Sequence, residues 1–423
     1  MKNKKLPTTC YKGVRDFFPK DAFVHDYIID TMARTCEKFG YEKYDASILE
    51  PSELYKNKSS ESEEIVNEQT YTFTDRGKRE VTLRPEMTPT VARMIVAKKR
   101  ELSFPVRWYS IPNCFRYERT QRGRLREFWQ LNADIFGASS IDAEVDNILL
   151  AYNIMKEFGA NDADFEIRLN DRALLTDIFK DLNLSFEVSQ NVLKLLDKRA
   201  KMTEQKFIES LEEFLNGKTK ELIAKIDSAH TTVRLQEVIS KLHTLGVTNT
   251  KIDTGTVRGF NYYTGIVFEI FDTDPENNRS LFGGGRYDDL TKLFSDEPIT
   301  AVGFGMGDVT IENFLEKRNL LPKYIPTTEI MICPLNKSFA TDAQNLANLL
   351  RKKNINTTVN LSFKKLKDQI KSADKQEIPF IIPFGDKEQE SGQYRIKHLP
   401  SKEEITTTSI DEIKNFLAQH DMI

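Results

Sequence analysis

Phe115-Arg116-Tyr117-Glu118-Arg119, followed closely by Arg122-Gly123-Arg124-Leu125-Arg126-Glu127-Phe128-Trp129-Gln130-Leu131-Asn132-Ala133-Asp134, is the stretch whose reading decides the fold. Two strand-like runs flank a turn dense in arginine, the pattern of an antiparallel hairpin. Side chains alternate along a strand, so Phe128, Gln130, Asn132 and Asp134 project from one face. An aromatic plate, two amides and a carboxylate then stand in one row. Polar groups buried on a strand face cost stability unless matched, so such a row marks a ligand floor more often than a plain core. Arg116 sits on the first strand, where its planar fork can hold a phosphate lying over the sheet.

Working outward, Pro19-Lys20-Asp21 opens a helical stretch in which Val24, Ile28, Met32 and Cys36 recur at fours, and Gly40 stops it. Short alternating runs follow at Tyr71 to Thr74, Arg79 to Arg84, Val106 to Ile111 and Asn113 to Glu118. They read as hairpin-connected strands of one antiparallel sheet. From about Asp171 to Gly246 the texture turns to helical patterns rich in Leu, Lys and Glu, and strand texture resumes at Val257, so residues 171–246 read as an inserted helical module. The Leu321 to Pro326 stretch reads as a linker. Beyond it, strands at 329–333, 356–361 and 379–383 alternate with helices, which predicts a small parallel or mixed α/β domain. The expected division is a first domain over 1–325 and a second over 326–423.

Composition narrows the chemistry. The chain has 423 residues, 30% of them charged, a net charge of −3 and 39% hydrophobic residues, enough for several cores. The opening Met1 to Pro7 lacks an apolar h-region and no run suffices to span a membrane, so a cytosolic protein is the expectation. Cys10, Cys36, Cys114 and Cys333 lie far apart without a CxxC pair, and the five histidines are scattered. No disulfide framework and no metal site built from protein alone is indicated. Chemistry then falls to carboxylates, arginines and amides. With an acidic total, a nucleic-acid partner needs local basic surface, and two runs offer it, Lys98 to Arg126 and Arg351 to Lys375.

Four further segments can carry function. Thr82-Leu83-Arg84-Pro85-Glu86-Met87-Thr88-Pro89 runs from a strand end into a helix start. Its carboxylate and hydroxyl read either as a helix cap or, facing a cleft, as a grip for a substrate ammonium. Val257-Arg258-Gly259-Phe260-Asn261-Tyr262-Tyr263-Thr264-Gly265 is a turn feeding a strand. Gly283-Gly284-Gly285-Arg286-Tyr287-Asp288 reads as a bend or as backbone brought close to a ligand, and Gly303-Phe304-Gly305-Met306-Gly307-Asp308 as a Gly-spaced strand entering a helix.

Together and in this order, these segments resemble the histidyl-tRNA synthetase family of class II aminoacyl-tRNA synthetases over nearly the whole chain. Phe115-Arg116-Tyr117-Glu118 with its arginine-rich turn is similar to the second class II motif. Arg258 to Tyr263 is similar to the histidine-specific signature, and Gly284 to Asp288 to its companion. The resemblance implies an α+β fold: a class II antiparallel sheet core with a helical insertion, plus a C-terminal α/β anticodon-binding domain. It also implies ATP-dependent activation of L-histidine to histidyl-adenylate and transfer to the 3′ end of tRNA(His). Arg116 and Arg258 would act as catalytic cations, and Arg116, Glu118, Arg124, Phe128 and Arg258 would hold ATP, accompanied by Mg2+. Glu86, Met87, Thr88, Gln130, Asp134, Arg258, Tyr262, Tyr263 and Tyr287 would bind histidine. The helix after Pro19 would build a homodimer, the helical module would clasp the acceptor arm, and the Arg351 to Lys375 run would touch the anticodon stem.

Two positions depart from the family pattern. Asp134 stands where many members carry Glu, and Thr310 where the third class II motif ends in an arginine that covers adenine and reaches the γ-phosphate. A lost charge-assisted contact is worth ~1.5–3 kcal/mol, and Arg122, Arg124 and Arg286 are the candidates to replace it. The same departure keeps an alternative open, a non-catalytic synthetase-like regulatory subunit of ATP phosphoribosyltransferase.

Overall fold

The computed structural model of the chain describes residues 5–56, 69–119, 123–199, 202–228, 231–256, 262–277 and 279–420. The chain divides into two compact units, Met1–Pro322 and Lys323–Ile423.

In the first unit the amphipathic helix α1 (Pro19–Lys38) buries Ile28, Thr31, Met32, Thr35 and Cys36, a spacing of threes and fours. Gly40 ends it with φ +76°, a conformation that costs glycine nothing. Then come β1 (Glu42–Lys43), β2 (Leu49–Pro51), the short helix α2 (Glu53–Lys56), β3 (Tyr71–Thr74), β4 (Glu80–Leu83), α3 (Thr88–Lys98), β5 (Val106–Ser110), β6 (Asn113–Phe115) and β7 (Glu127–Phe136). Helix α4 (Asp142–Glu157) leads to β8 (Phe165–Asp171). The helices α5 (Arg172–Asp181), α6 (Phe186–Lys198), α7 (Glu204–Leu215), α8 (Thr219–Ser228) and α9 (Val233–Thr244) follow. Strands β9 (Thr250–Ile252), β10 (Ile266–Asp272), β11 (Ser280–Arg286) and β12 (Ala301–Gly307) and helix α10 (Asp308–Lys317) complete the unit.

Among the described residues the main sheet has nine strands in the order β1-β5-β7-β12-β11-β10-β8-β9, with β6 paired to β7. Its centre is antiparallel, and parallel pairing occurs only at the edges, β1 with β5 and β8 with β9. The strands at 71–74 and 80–83 do not join it. They pair with β2 in a separate three-stranded sheet, which corrects the reading of a single sheet. Hairpin spacing alone reveals that two strands pair, but not which sheet receives them. Leu131, Ala133 and Ile135 of β7 face a core shared with α1, α4 and α10, so the opposite face is left for the polar row.

Helices α5 to α8 enclose a core of their own, including Leu175, Phe179, Val192, Phe207, Leu211 and Leu222. Helix α9, although part of the same helical stretch, packs Leu235, Val238 and Leu242 into the core beneath the main sheet. Beside it lies a buried ion cluster: Glu144 of α4 (1% exposed) accepts Arg286 Nε at 2.7 Å and a second bond from its Nη2, and Arg234 of α9 at 2.5 Å.

The second unit holds a mixed five-stranded sheet in the order β14-β13-β15-β16-β17. Strands β13 (Ile330–Pro334), β14 (Thr357–Val359) and β15 (Phe380–Phe384) are parallel, with helices α11 (Ala340–Lys352) and α12 (Leu366–Lys375) between them. After the short helix α13 (Asp386–Ser391), strands β16 (Tyr394–His398) and β17 (Glu404–Thr407) add an antiparallel hairpin, and α14 (Ile410–His420) closes the core.

Removing one partner of a buried ion pair strands the other charge, at a cost of about 3–5 kcal/mol. Arg286 keeps Asp288 and two carbonyls, so Glu144→Ala is expected to lower stability by about 3 kcal/mol, the low end of that range. The midpoint of urea unfolding, followed by the fluorescence of Trp108 and Trp129, measures it; both tryptophans lie in the first unit.

Candidate active site

The row read from the sequence is present on β7. Trp129, between Phe128 and Gln130, points to the far side, where its ring meets Phe17 at 5.4 Å and His25 at 4.7 Å. On the near side Gln130 Nε2 donates to Asn132 Oδ1 at 2.8 Å, and Asp134 is 3% exposed. Residues paired across antiparallel strands share a face, and here Asp134 is opposite Gly303, Asn132 opposite Gly305 and Gln130 opposite Gly307. These glycines clear the floor. A Cβ on Gly303 would lie 1.9 Å from Asp134 Oδ1, and one on Gly305 would lie 2.8 Å from the Gln130 amide nitrogen. The Gly-spaced strand at 301–307, weak as a sequence signal, is therefore what lets the polar row exist. The triplet 283–285 has a different reason. Side chains on Gly284 and Gly285 would strike the backbone of the flanking strands, at Gly303 O and Ile266 O, so these glycines serve strand packing rather than approach to a ligand.

At the closed end of the row Tyr287 donates its hydroxyl to Asp134 Oδ1 at 2.5 Å. The other oxygen, Oδ2, is buried and has no hydrogen-bond partner among the described residues. Burial pushes the Asp134 carboxyl up to about 7, and the Tyr287 bond draws it partly back. The Tyr287 hydroxyl is pushed well above its usual value, first by burial and then by that carboxylate. Tyr262 lies 4.8 Å from Tyr263 and 5.6 Å from Tyr287, ring to ring, and Tyr263 lies 6.5 Å from Tyr287. Met87, wholly buried, packs in the same cluster with Tyr44, Tyr263 and Tyr287. A half-satisfied carboxylate walled by aromatic rings is a receptor for a flat group bearing an N–H.

At the other end Arg116 donates Nε to Pro85 O at 3.0 Å, approaches Glu118 at 3.9 Å, and stacks over Phe128 at 5.1 Å. Arg124 bonds Glu118 at 3.1 Å and is half exposed. Glu86, between β4 and α3, is buried and follows Pro85, whose carbonyl takes the Arg116 bond, and Thr88, also buried, is the first residue of α3. The N-cap position of α3 is held by Met87 rather than by Glu86 or Thr88. Arg258 and the rest of 257–261, with Arg122, lie outside the described residues.

Thr310 bonds Leu281 O at 2.9 Å and Gly307 O at 3.0 Å. A side chain on Gly123 would touch its methyl at 3.6 Å, so Gly123 lies against it. Of the candidate replacements, Arg286 is ruled out: it is 2% exposed and consumed by Glu144, Asp288 and two carbonyls. Sequence reading also missed Asp308. Its Oδ1 accepts the Trp129 amide at 2.9 Å where the β7–β12 ladder ends, and its Oδ2 takes Arg15, fastening the reverse side of the row. Only its place directly after the third glycine of β12 hinted at this.

An antiparallel sheet bearing a guanidinium over an aromatic plate at one end of a polar row and a half-satisfied carboxylate walled by tyrosines at the other is the arrangement of a class II aminoacyl-tRNA synthetase. Comparison with known proteins carries this further. The histidyl-tRNA synthetase family model matches residues 13–309, and an anticodon binding domain model matches 329–420. A histidine–tRNA ligase of Leptospira biflexa is 40% identical over 440 residues, covering 99% of this chain and all of that one. One of Thermoplasma volcanium is 34% identical and covers 94% and 95%. Among solved structures, histidyl-tRNA synthetase from Nostoc sp. PCC 7120 matches with a TM-score of 0.78 at 23% identity, over 97% of this chain and 100% of that one. An ATP phosphoribosyltransferase regulatory subunit/histidyl-tRNA synthetase from Bacillus halodurans C matches with a TM-score of 0.69 at 21% identity, over 88% and 97%, a likeness of fold. The chain belongs to the histidyl-tRNA synthetase family.

The Asp134 carboxyl yields a pH prediction. Its folded-state pKa of about 7 is above the unfolded value, so the stability it contributes is complete below about pH 4 and is lost as pH rises through 7. The loss is expected to approach roughly 4 kcal/mol in the ligand-free protein. Asp134→Asn removes the titration, so its stability is expected to fall less than that of the wild type between pH 5 and pH 8. Parallel urea titrations at the two pH values provide the comparison.

Proposed function

We propose that the chain is a histidine–tRNA ligase that binds L-histidine with its imidazole at Asp134 and ATP across Arg116 and Phe128. The observation that carries this is the buried Asp134 Oδ2, left without a partner beside a carboxylate oxygen already held by Tyr287. A neutral imidazole N–H satisfies it, and Tyr263 reads the other ring nitrogen while Tyr262, Tyr287 and Met87 shape the walls. A site whose polar groups are left unpaired by the wrong side chain rejects it by a factor on the order of 10⁴ or more. Glu86, Thr88 and Gln130 grip the α-ammonium.

In the first step a histidine carboxylate oxygen attacks the α-phosphorus, the α–β bridging oxygen leaves with pyrophosphate, and histidyl-adenylate remains. Negative charge gathers on phosphate oxygens, so fixed cations matter more than an acid/base pair. Arg116 meets the α-phosphate from one side and Arg258 from the other. Phe128 stacks on adenine, Glu118 contacts adenine or the tRNA end, and Arg124, which follows the Gly123 that lies against Thr310, takes the place of the missing arginine at the outer phosphates. Magnesium arrives with ATP as part of the substrate. In the second step a 3′-terminal ribose hydroxyl of tRNA(His) attacks the histidyl carbonyl and AMP leaves.

Lys364, Lys365, Lys367 and Lys371, exposed on and before α12, suit the phosphate backbone of an anticodon stem. Phe18, 69% exposed at the start of α1, and Tyr11, 58% exposed, suit the interface of a symmetric homodimer. We place the protein in the cytoplasm; among the described residues no helix is long and apolar enough to cross a membrane.

Histidine-dependent exchange of labelled pyrophosphate into ATP tests the reading. The wild type is expected to exchange, Arg116→Ala to lose about 10²–10³ in kcat, and Arg124→Ala to raise the KM for ATP about tenfold. A wild-type protein that binds histidine but never exchanges would be a regulator instead.

A further inference from the structure

The helical module leaves the catalytic sheet and rejoins it at one place, where the outgoing root grips the backbone that carries the imidazole pocket and the returning root is tied to the outgoing one. At the outgoing root, the last residues of β8, Asn170 is fully buried. Its Oδ1 accepts the Asp171 amide at 2.8 Å, which orients the side chain so that Nδ2 donates to two carbonyls, Thr254 O at 3.2 Å and Thr256 O at 3.0 Å. Arg172, the first residue of α5 and 7% exposed, donates Nη1 to Tyr263 O at 3.1 Å, and its amide donates to Gly265 O at 3.1 Å. Two neighbouring residues thus hold the chain before 257 and after 261. At the returning root Thr232 donates to Asp171 Oδ2 at 2.7 Å, and Arg234 shares Glu144 with Arg286, the neighbour of Tyr287.

A hinge that merely joined two cores would not need a buried amide and a buried guanidinium aimed at the carbonyls of one loop. Such groups are costly unless their partners are fixed, so they also fix their partners. We propose that Asn170 and Arg172 are positioning residues for histidine recognition: they set the backbone of Tyr263, whose ring adjoins Tyr287 and so the Asp134 niche, and they tie that niche to the root of the helical module. A displacement at the root is then felt as a change in histidine binding, because small misplacements of a binding group are expensive. The inference rests on the niche being the histidine site.

The test compares Asn170→Asp, which keeps size and the Asp171 bond but removes both donors, with Arg172→Met, which keeps the aliphatic stem. Pyrophosphate exchange gives the KM for histidine and for ATP separately, and thermal unfolding gives stability. Each variant is expected to raise the histidine KM about tenfold or more while the ATP KM stays within about twofold, with Arg172→Lys recovering part of the loss. Should Asn170→Asp fail to fold, the Arg172 pair carries the comparison. An unchanged histidine KM in folded Arg172→Met, or an equal rise for both substrates, overturns the proposal. The wild type run alongside separates the two levels: if it binds histidine without exchanging, the functional reading itself fails, and if it exchanges while Arg172→Met keeps the wild-type histidine KM, only the positioning role fails.

Discussion

A carboxylate buried at the end of a β-strand with only one of its oxygens satisfied is the constraint around which the catalytic unit is arranged. Asp134 is tolerated because Tyr287 donates to Oδ1 and because Gly303, opposite it in the register, leaves room for the group to turn onto the open face. Neither condition would suffice alone. Any side chain on Gly303 would occupy the carboxylate's place, and without the tyrosine the group would be buried with no partner at all. The cost shows in the upward shift of the carboxyl, and it is relieved by a ligand that brings an N–H into the niche.

Much of this was legible in the sequence because it depends on period-two alternation. Phe128, Gln130, Asn132 and Asp134 share a face whatever the strand pairs with, and the hydrophobic residues between them must then face the core. What the chain order could not reveal was set by partners distant in sequence. The 71–83 hairpin has the same texture as its neighbours, yet Leu49 to Pro51 draws it into a separate sheet. The glycines at 303 and 305 owe their purpose to side chains some 170 residues earlier, and Arg286, plausible as a spare cation, is neutralised by a glutamate on α4. Helix α9 reads like the rest of the helical stretch but belongs to another core, because its apolar face meets α4 rather than α5 to α8. Among the site residues, Asp308 stayed hidden since a carboxylate at a helix start ordinarily signals nothing beyond a favourable helix dipole.

The departure at Thr310 takes on a different weight in three dimensions. The threonine turns back onto carbonyls of its own surroundings, and Gly123 lies against its methyl. Two residues earlier, Asp308 fastens the rear of β7 to Arg15 in the N-terminal segment. The end of the third motif therefore secures the floor in this chain.

The most direct measurement is the structure of the protein with L-histidine and a non-hydrolysable ATP analogue bound. The expected result is an imidazole nitrogen within hydrogen-bond distance of Asp134 Oδ2, adenine stacked on Phe128, and the α-phosphate between Arg116 and the histidine carboxylate. An imidazole bound away from Asp134, with Oδ2 still unpartnered, would contradict it.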